Sequence, residues 1–446
     1  MAGAWTSEQV LALSPDAGST KRGKSLANVS KWPLLGHAEQ AVWGECKGSG
    51  KKPYRTQIDL NEPAFRCSCP SRKFPCKHAL GLFLLLTEQI EAFSNAPPPD
   101  WVTEWLEKRT QVTNHQQIKQ QKATADPAAQ AKRAEKRAAK VEAGLEDLTQ
   151  WLEDIIRQGL AALPNQPYSF WDQAAARLVD AQAPGLARRV RSLGSIPHSG
   201  QGWPERMLKA LGQLHLLVES YGRLDSLTPA MQAEVRSQIG WPQTQDDLRL
   251  RVEKADPLVD CVADTWQILG KVVIEEDKLQ MQRTWLWGSE SQKSALVLNF
   301  AHGRQPLDVS LIPGSSFSGK LIFYPGTGLQ RAFVDLRENT TAQVPPPTGS
   351  TIATAIGYYT HSLSQNPWLE RFPLTLAQVW PLPREDSWWL RDAARQVLPI
   401  APGVQRGWEL LALSGGHPLT VFGEWNGSTF LPLSLWSGQQ FHPLGD

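Results

Sequence analysis

Residues 64–86 of the chain are AFRCSCPSRKFPCKHALGLFLLL, and they contain four metal-ligand side chains arranged as two pairs. Cys67 and Cys69 are two residues apart, Cys76 and His78 are also two residues apart, and six residues separate the pairs. Three thiolates and one imidazole form a standard closed tetrahedral set for structural zinc. The spacing therefore predicts one structural zinc ion, with no coordination position left for water.

The residues around the two pairs predict the local structure that holds the metal. Side chains two apart on a strand point to the same face, so Cys67 and Cys69 can share one ion. Pro75 precedes a long apolar run, which predicts a helix whose first turn holds Cys76 and His78. A disulfide between cysteines so close in sequence would be strained, and the ordinary packing of a buried Cys or His does not explain four ligands at this spacing. We therefore expect zinc to join a hairpin to a helix.

This pattern resembles the SWIM zinc finger, in which Cys-Xaa-Cys and Cys-Xaa-His lie in a strand-strand-helix unit. The matching residues are 67–69 and 76–78, and the upstream context at 43–60 is also similar to bacterial members. A looser similarity to bacterial SWIM-containing proteins of similar length extends to VDAQAPGLA at 179–187 and IGWPQ at 239–243. The resemblance implies zinc binding and contact with DNA or protein, and it implies no catalysis.

The other two cysteines are predicted to lie outside the metal site. Four ligands already satisfy zinc, so Cys46 is interpreted as a loop cysteine, and Cys261, in PLVDCVADTW, as a buried helix residue. Three of the five cysteines lie within ten residues and Cys261 lies far from them, a distribution that does not suit a secreted disulfide framework. The chain also lacks a signal-peptide pattern and any membrane-length apolar run, so we expect a cytoplasmic protein without membrane contact.

The 446 residues, of which 41% are hydrophobic and 20% charged, predict a multidomain α+β protein. A SWIM-type zinc finger domain is expected over residues 1–96, with its core at about 43–88, because three consecutive prolines begin at Pro97. A polar, partly helical linker is expected over 97–142. Apolar residues at helical spacing predict a helical bundle domain over 143–280, and short β-rich segments predict a mainly β, α+β domain over 281–446.

Within the C-terminal region, several element predictions can be tested individually. The segments TWLWG, ALVLNF, LDVSLI, KLIFY and LQRAFV predict strands, and Asn426-Gly427 predicts a tight hairpin turn. Helices are expected at about Ile352–Leu363 and Trp388–Leu398. One or two more helices are expected between Leu248 and Gly270.

A local excess of positive charge surrounds the motif. Eight basic residues and two acidic residues lie between positions 47 and 77, whereas the net charge of the whole chain is only +2. Such an excess suits phosphate binding, and it equally suits compensation of a zinc–thiolate centre that carries a charge of about −1. The candidate nucleic-acid contacts are Lys51, Lys52, Arg55, Arg72 and Lys73. A protein partner and a DNA or RNA partner both remain open, with the protein partner slightly favoured.

No sequence motif indicates an enzyme. Gly314–Leu321 approximates a phosphate-binding loop, but Leu321 replaces the magnesium-binding Ser or Thr and the following residues predict a strand, so a hairpin loop is expected. The histidines outside the motif are scattered singly. We therefore expect a non-enzymatic zinc protein; the alternative is a hydrolase or a nucleotide-using enzyme built on the C-terminal domain.

Overall fold

The computed structural model describes residues 5–48, 52–60, 63–109, 127–276, 279–302, 307–328, 330–341, 345–385, 387–402 and 406–444. The described chain forms an N-terminal sheet-and-helix domain, a helical bundle, a closed five-stranded barrel and a six-stranded sheet with two helices. The multidomain α+β prediction is therefore confirmed. None of the described helices combines the length and apolarity that a membrane crossing requires.

The N-terminal domain is built on a five-stranded sheet with strand order β4-β3-β2-β1-β5. Its strands are β1 (Leu34–His37), β2 (Ala41–Cys46), β3 (Tyr54–Asp59), β4 (Ala64–Cys67) and β5 (Ser94–Asn95). Its helices are α1 (Ser7–Leu11), α2 (Ala17–Leu26), α3 (Lys77–Glu88) and α4 (residues 100–109). The predicted strand-strand-helix unit is present as β3, β4 and α3, and it forms one edge of this larger sheet.

Helix α3 lies at the centre of the N-terminal core, and its residues from His78 to Leu86 are all buried. Helix α2 packs closely on it, because Gly23 and Gly81 leave room for the two backbones to approach. The same core contains Trp5 and, from the barrel, Ile312. The metal motif is thus anchored in a core that extends well beyond residues 43–88.

The helical bundle contains five helices in the described chain and has its own apolar core. They are α5 (Pro127–Gln158), α6 (Tyr168–Asp180), α7 (Pro184–Leu193), α8 (Trp203–Gly222) and α9 (Pro229–Ile239). Helix α5 runs across the predicted boundary at 142/143, and Val141 is fully buried in the bundle core. Residues 127–142, which were predicted to belong to the linker, are therefore structurally part of the bundle.

The two sequence strings near 179–187 and 239–243 meet at a tight contact in the bundle. A Cβ at Gly185 would overlap the carbonyl oxygen of Gln238, and Gly240 adopts a φ of +109°. Arg137 connects both strings: its Nη2 donates to the carbonyl oxygens of Gln182, at 2.8 Å, and Gly240, at 3.0 Å. These strings therefore pack α7 against the end of α9.

The barrel follows a short helix, α10 (Gln245–Glu253). Its strands are β6 (Cys261–Glu276), β7 (Leu279–Gly288), β8 (Ser294–His302), β9 (Ser316–Phe323) and β10 (Arg331–Thr341). The helical prediction for Leu248–Gly270 is correct only as far as Glu253, because β6 pairs along its length with β7 and β9. Cys261 is exposed at the start of β6, so its assignment to a buried helix was wrong. The predicted boundary at 280/281 falls inside strand β7.

Two predictions between β8 and β9 also need correction. The segment LDVSLI at 307–312 was predicted as a strand, but it is an irregular connection between β8 and β9. Leu311 packs in the barrel core and Ile312 packs in the N-terminal core. Gly314 precedes β9, and Lys320 lies within that strand rather than in a hairpin loop. The segment leads into a strand and not a helix, so it is not a phosphate-binding loop.

The C-terminal sheet has strand order β13-β12-β11-β14-β15-β16, and every pair is antiparallel. Its strands are β11 (Phe372–Arg384), β12 (Ser387–Asp392), β13 (Val397–Pro399), β14 (Leu419–Trp425), β15 (Phe430–Ser437) and β16 (Gln440–Pro443). The helices are α11 (Ile352–Gln365), which was predicted, and α12 (Arg406–Ser414), which was not. The Asn426-Gly427 hairpin is confirmed, with Gly427 at a φ of +92°. The predicted helix at Trp388–Leu398 is instead β12 and β13.

A buried ionic cluster joins the barrel to the C-terminal sheet. Glu424 is only 1% exposed, and it accepts hydrogen bonds from Arg283 at 2.7 and 2.9 Å and from Trp285 Nε1 at 2.8 Å. Arg371 approaches the same carboxylate at 3.7 Å. Leaving this charge unpaired would be costly, so the cluster holds the two modules in one arrangement.

Candidate metal centre

The four predicted zinc ligands converge where the β3–β4 hairpin meets the start of α3. Cys67 is the last residue of β4, and Cys69 follows it after Ser68, which exchanges hydrogen bonds with β3. Cys76 caps the N-terminus of α3, and His78 lies in the first turn of that helix. Strand and helix therefore bring the two pairs to one point, as the spacing predicts.

The distances among the ligand atoms suit a single zinc ion. All four atoms lie within 4.8 Å of one another. His78 Nδ1 is 3.7 Å from Cys67 Sγ and 4.0 Å from Cys76 Sγ. Zinc bonds of about 2.0 to 2.3 Å place neighbouring ligands of a tetrahedron about 3.5 to 3.8 Å apart. Donor set and geometry thus fit one structural zinc ion bound by Cys67, Cys69, Cys76 and His78.

The three thiols differ strongly in acidity. A hydrogen bond from Cys67 lowers the pKa of Cys76 to about 4, and contacts with His78 and with the backbone N–H of Ala79 act in the same direction. The same hydrogen bond, together with burial, raises the pKa of Cys67, while burial raises the pKa of Cys69. Cys76 is therefore the most acidic of the three thiols, and the raised pKa values of Cys67 and Cys69 indicate that these two lose protons when zinc binds.

Two supporting residues on β3 could not be identified from the ligand motif alone. The Thr56 Oγ1 atom lies 3.2 Å from Cys67 Sγ, in register with it across the β3–β4 pair. The ring of Tyr54 lies 4.9 Å from that of His78, measured between centroids. Thr56 and Tyr54 are two residues apart on β3, so their side chains lie on the same face of that strand. The two-residue repeat of the strand next to Cys-Xaa-Cys is therefore the sequence signal that could have indicated them.

Cys46 lies outside the four-atom cluster. Its prediction as a loop cysteine was wrong, because it ends β2 opposite Tyr54 and its side chain is fully buried in the N-terminal core. Burial raises the pKa of this thiol, which suits a packing role.

The predicted nucleic-acid contacts occupy two different environments. Arg55 pairs with Glu45 at 3.1 Å and lies over the ring of Trp101, so it helps to pack α4 against the sheet. Lys52 and Arg72 are exposed and form no ion pair with the described residues. Lys51 lies outside the described residues.

Lys73 connects the finger to α2. Its Nζ is 2.5 Å from Asp16, the N-cap residue of that helix, and this contact is the main cause of the lowered pKa of Asp16. A Cβ on Gly18 would lie near both Asp16 and the guanidinium of Arg22. The finger loop and the basic side of α2 are therefore neighbours in the folded domain.

Comparisons with known families agree with this geometry. Residues 54–86 match the SWIM zinc finger, and residues 136–239 match the SWIM-associated four-helix bundle domain. The chain thus contains a SWIM zinc finger followed by its associated bundle, both of which are typically non-catalytic modules, and the finger is a zinc-binding interaction module. Neither the curated proteins nor the solved structures give a match.

Proposed function

We propose that this chain is a non-enzymatic nucleic-acid-binding protein whose SWIM finger contacts the phosphate backbone. The contacts are made by four exposed side chains around the zinc site, Lys52, Arg72, Lys73 and Lys77, here called the basic rim. The observation that carries the proposal is that a single described carboxylate, that of Asp16, pairs with this group.

Three of the rim residues lie within three residues of a zinc ligand in the sequence, and Lys52 lies close to a residue that contacts one. Arg72 and Lys73 lie in the loop between the two ligand pairs, and Lys77 separates Cys76 from His78. Lys52 lies two residues before Tyr54, whose ring packs on His78. Folding therefore gathers cations from three parts of the domain at its metal end.

The charges of this end do not cancel. Zinc with three thiolates contributes about −1, and Asp16 contributes a further −1, against four rim cations. Glu88, at the other end of α3, is roughly 16 Å from Lys77 along the helix axis, from the rise of 1.5 Å per residue. A surplus of about two positive charges therefore remains at the metal end of the domain. This surplus favours contact with the phosphate groups of a nucleic acid.

The non-enzymatic part of the proposal is supported by the lining of a large cleft. A cavity of about 460 Å³ lies between bundle, barrel and C-terminal sheet. Its lining carboxylates are engaged: Glu370 pairs with Arg188 and Arg189, while Glu234 accepts from Gln238 at 2.7 Å. The described lining of this cavity contains no His or Cys that could act as a base or thiolate nucleophile.

Salt-dependent binding of duplex DNA to the zinc-loaded full chain tests the proposal. Replacing Lys52, Arg72 and Lys77 by Gln should weaken binding to every sequence alike and flatten the log–log salt slope by about 0.9 for each phosphate that is no longer bound. The matched control replaces Lys209, Lys254 and Lys320 by Gln, which removes the same charge from exposed sites elsewhere.

The two triple variants must both retain one zinc ion per chain for the comparison to hold. Equal affinity and equal salt slope for the two variants would contradict phosphate binding by the rim. Capture of a protein partner by the wild-type chain but not by the rim variant, without any DNA or RNA retardation at low salt, would show that the finger is a protein-docking module instead.

A further inference from the structure

The barrel strands are connected in an order that is typical of a ligand-binding barrel. Strands β6, β7 and β8 form an antiparallel meander, β8 pairs in parallel with β10, and β9 closes the barrel between β10 and β6. This is the five-stranded Greek-key arrangement of the oligonucleotide- and oligosaccharide-binding barrel. In such barrels the ligand lies on the second and third strands, between the loop that joins the first two strands and the loop that joins the last two.

That location is open in this protein. The 460 Å³ cavity lies on the outer side of β7 and β8, with Met281, Leu298 and Phe300 in its lining. It continues past the β9–β10 loop toward a second cavity of about 350 Å³, and both cavities are lined by Leu298, Tyr324 and Arg331. Together they form a groove, the barrel groove, of the volume that ligand sites have.

A fold alone does not identify a ligand, so the ligand is inferred from the side chains that line the groove. Phe300 is 54% exposed although it is a large apolar ring on a strand. The guanidinium of Arg331 lies 4.2 Å from the ring centroid of Tyr324 and pairs with no carboxylate of the described residues. The exposed Phe300 ring, the half-buried Tyr324 ring and this arginine are the kinds of side chain that stack bases and attract a phosphate backbone.

The groove lining carries more arginines than carboxylates. Glu370 lies 2.9 Å from Arg189, and Asp335 lies 2.6 Å from Arg249, so these two lining carboxylates are compensated within the protein. Glu234 hydrogen-bonds the N–H of Thr327 at 3.3 Å, and this contact fixes the β9–β10 loop against the bundle. A strand in the groove would thus meet a positioned loop and a lining in which six arginines stand against four carboxylates.

We infer that the barrel groove binds single-stranded nucleic acid, with bases stacked on Phe300 and Tyr324 and a phosphate near Arg331. A duplex is excluded because stacking on these rings needs unpaired bases. The inference does not rest on the basic rim, which belongs to another module.

The test measures binding of a labelled thymidine oligomer of roughly 16 nucleotides, the upper site size of such barrels, to the zinc-loaded full chain. Phe300→Ala and Arg331→Gln should each weaken binding by about 5- to 100-fold, the range for loss of one stacking partner. Duplex affinity should not change. The matched controls are Tyr358→Ala, an exposed ring on α11, and Lys320→Gln, an exposed cation on β9.

Each outcome decides the inference. Selective loss in the two groove variants, with both controls at wild-type affinity and all four proteins folded by circular dichroism, supports it. Retained single-strand binding by the rim variant supports it further and separates it from the proposed role of the finger. No binding of the oligomer by the wild-type chain at low salt, or equal affinity of groove variants and controls, overturns it.

Discussion

Replacement of Cys76 by Ser isolates the contribution of zinc to stability. Cys76 accepts the N–H of Ala79 at the start of α3, and serine is itself a preferred N-cap residue, so the helix keeps its cap while the metal loses a thiolate. Any loss of stability in the variant therefore comes mainly from the metal and not from the helix terminus.

The expected magnitude follows from the ligand set. Structural zinc in fingers binds with an apparent free energy of about 10 to 16 kcal/mol, which corresponds to a Kd between about 50 nM and about 2 pM. With roughly 1 µM free zinc, binding stabilises the folded domain by about 2 to 8 kcal/mol. This is a large fraction of the usual stability of a domain, about 5 to 15 kcal/mol.

The loss should be local. The buried residues of α3 still pack against α1 and α2, and the bundle and C-terminal sheet have separate cores. We expect faster hydrogen exchange over residues 54–80, unchanged exchange in the bundle, and well under one zinc per chain by elemental analysis. Cys261→Ser, which alters an exposed thiol on β6, should keep one zinc. A Cys76→Ser protein that retains one zinc ion and wild-type exchange at 54–80 would refute the assignment.

Three further outcomes follow from the structure. Zinc uptake at pH 7 should release about two protons, from Cys67 and Cys69. The affinity for zinc should therefore fall by about 100-fold for each unit of decreasing pH, and a zinc affinity that does not change between pH 6 and 7 would contradict this. Gly185→Ala should destabilise the chain by about 1 to 3 kcal/mol in urea unfolding, whereas Gly212→Ala, with open space around it, should be neutral or stabilising. Glu424→Gln should cost about 3 to 5 kcal/mol because it removes the charge that pairs with two arginines, and an unchanged thermal midpoint would contradict it.

The metal site was predictable because its geometry is local. The four ligands lie within twelve residues, and the period of a strand and the start of a helix determine where they point. The Asn426-Gly427 hairpin was predictable for the same reason, since a turn depends on the backbone angles of two adjacent residues.

The failed predictions share a different cause. Residues 388–398 contain good helix formers, yet residues 388–392 pair with β11 and residues 397–398 pair with β12. Side chains in the first of these strands alternate, with Leu390 buried and Arg391 exposed. Cys261 begins a strand and pairs with Ile322 of β9, which lies far along the chain. Sheet pairing at long range outweighs local propensity, and a single sequence does not indicate which distant segments pair.

By itself the sequence determined the zinc ligands, the α+β class and the order of the modules, because these depend on local spacing and periodicity. Only the tertiary structure decided that the finger is one edge of a larger sheet, that residues 179–187 and 239–243 form one contact, and that β6 to β10 close into a barrel with a groove. Those features depend on contacts between residues far apart in the chain, which are established only when the cores of the modules are packed.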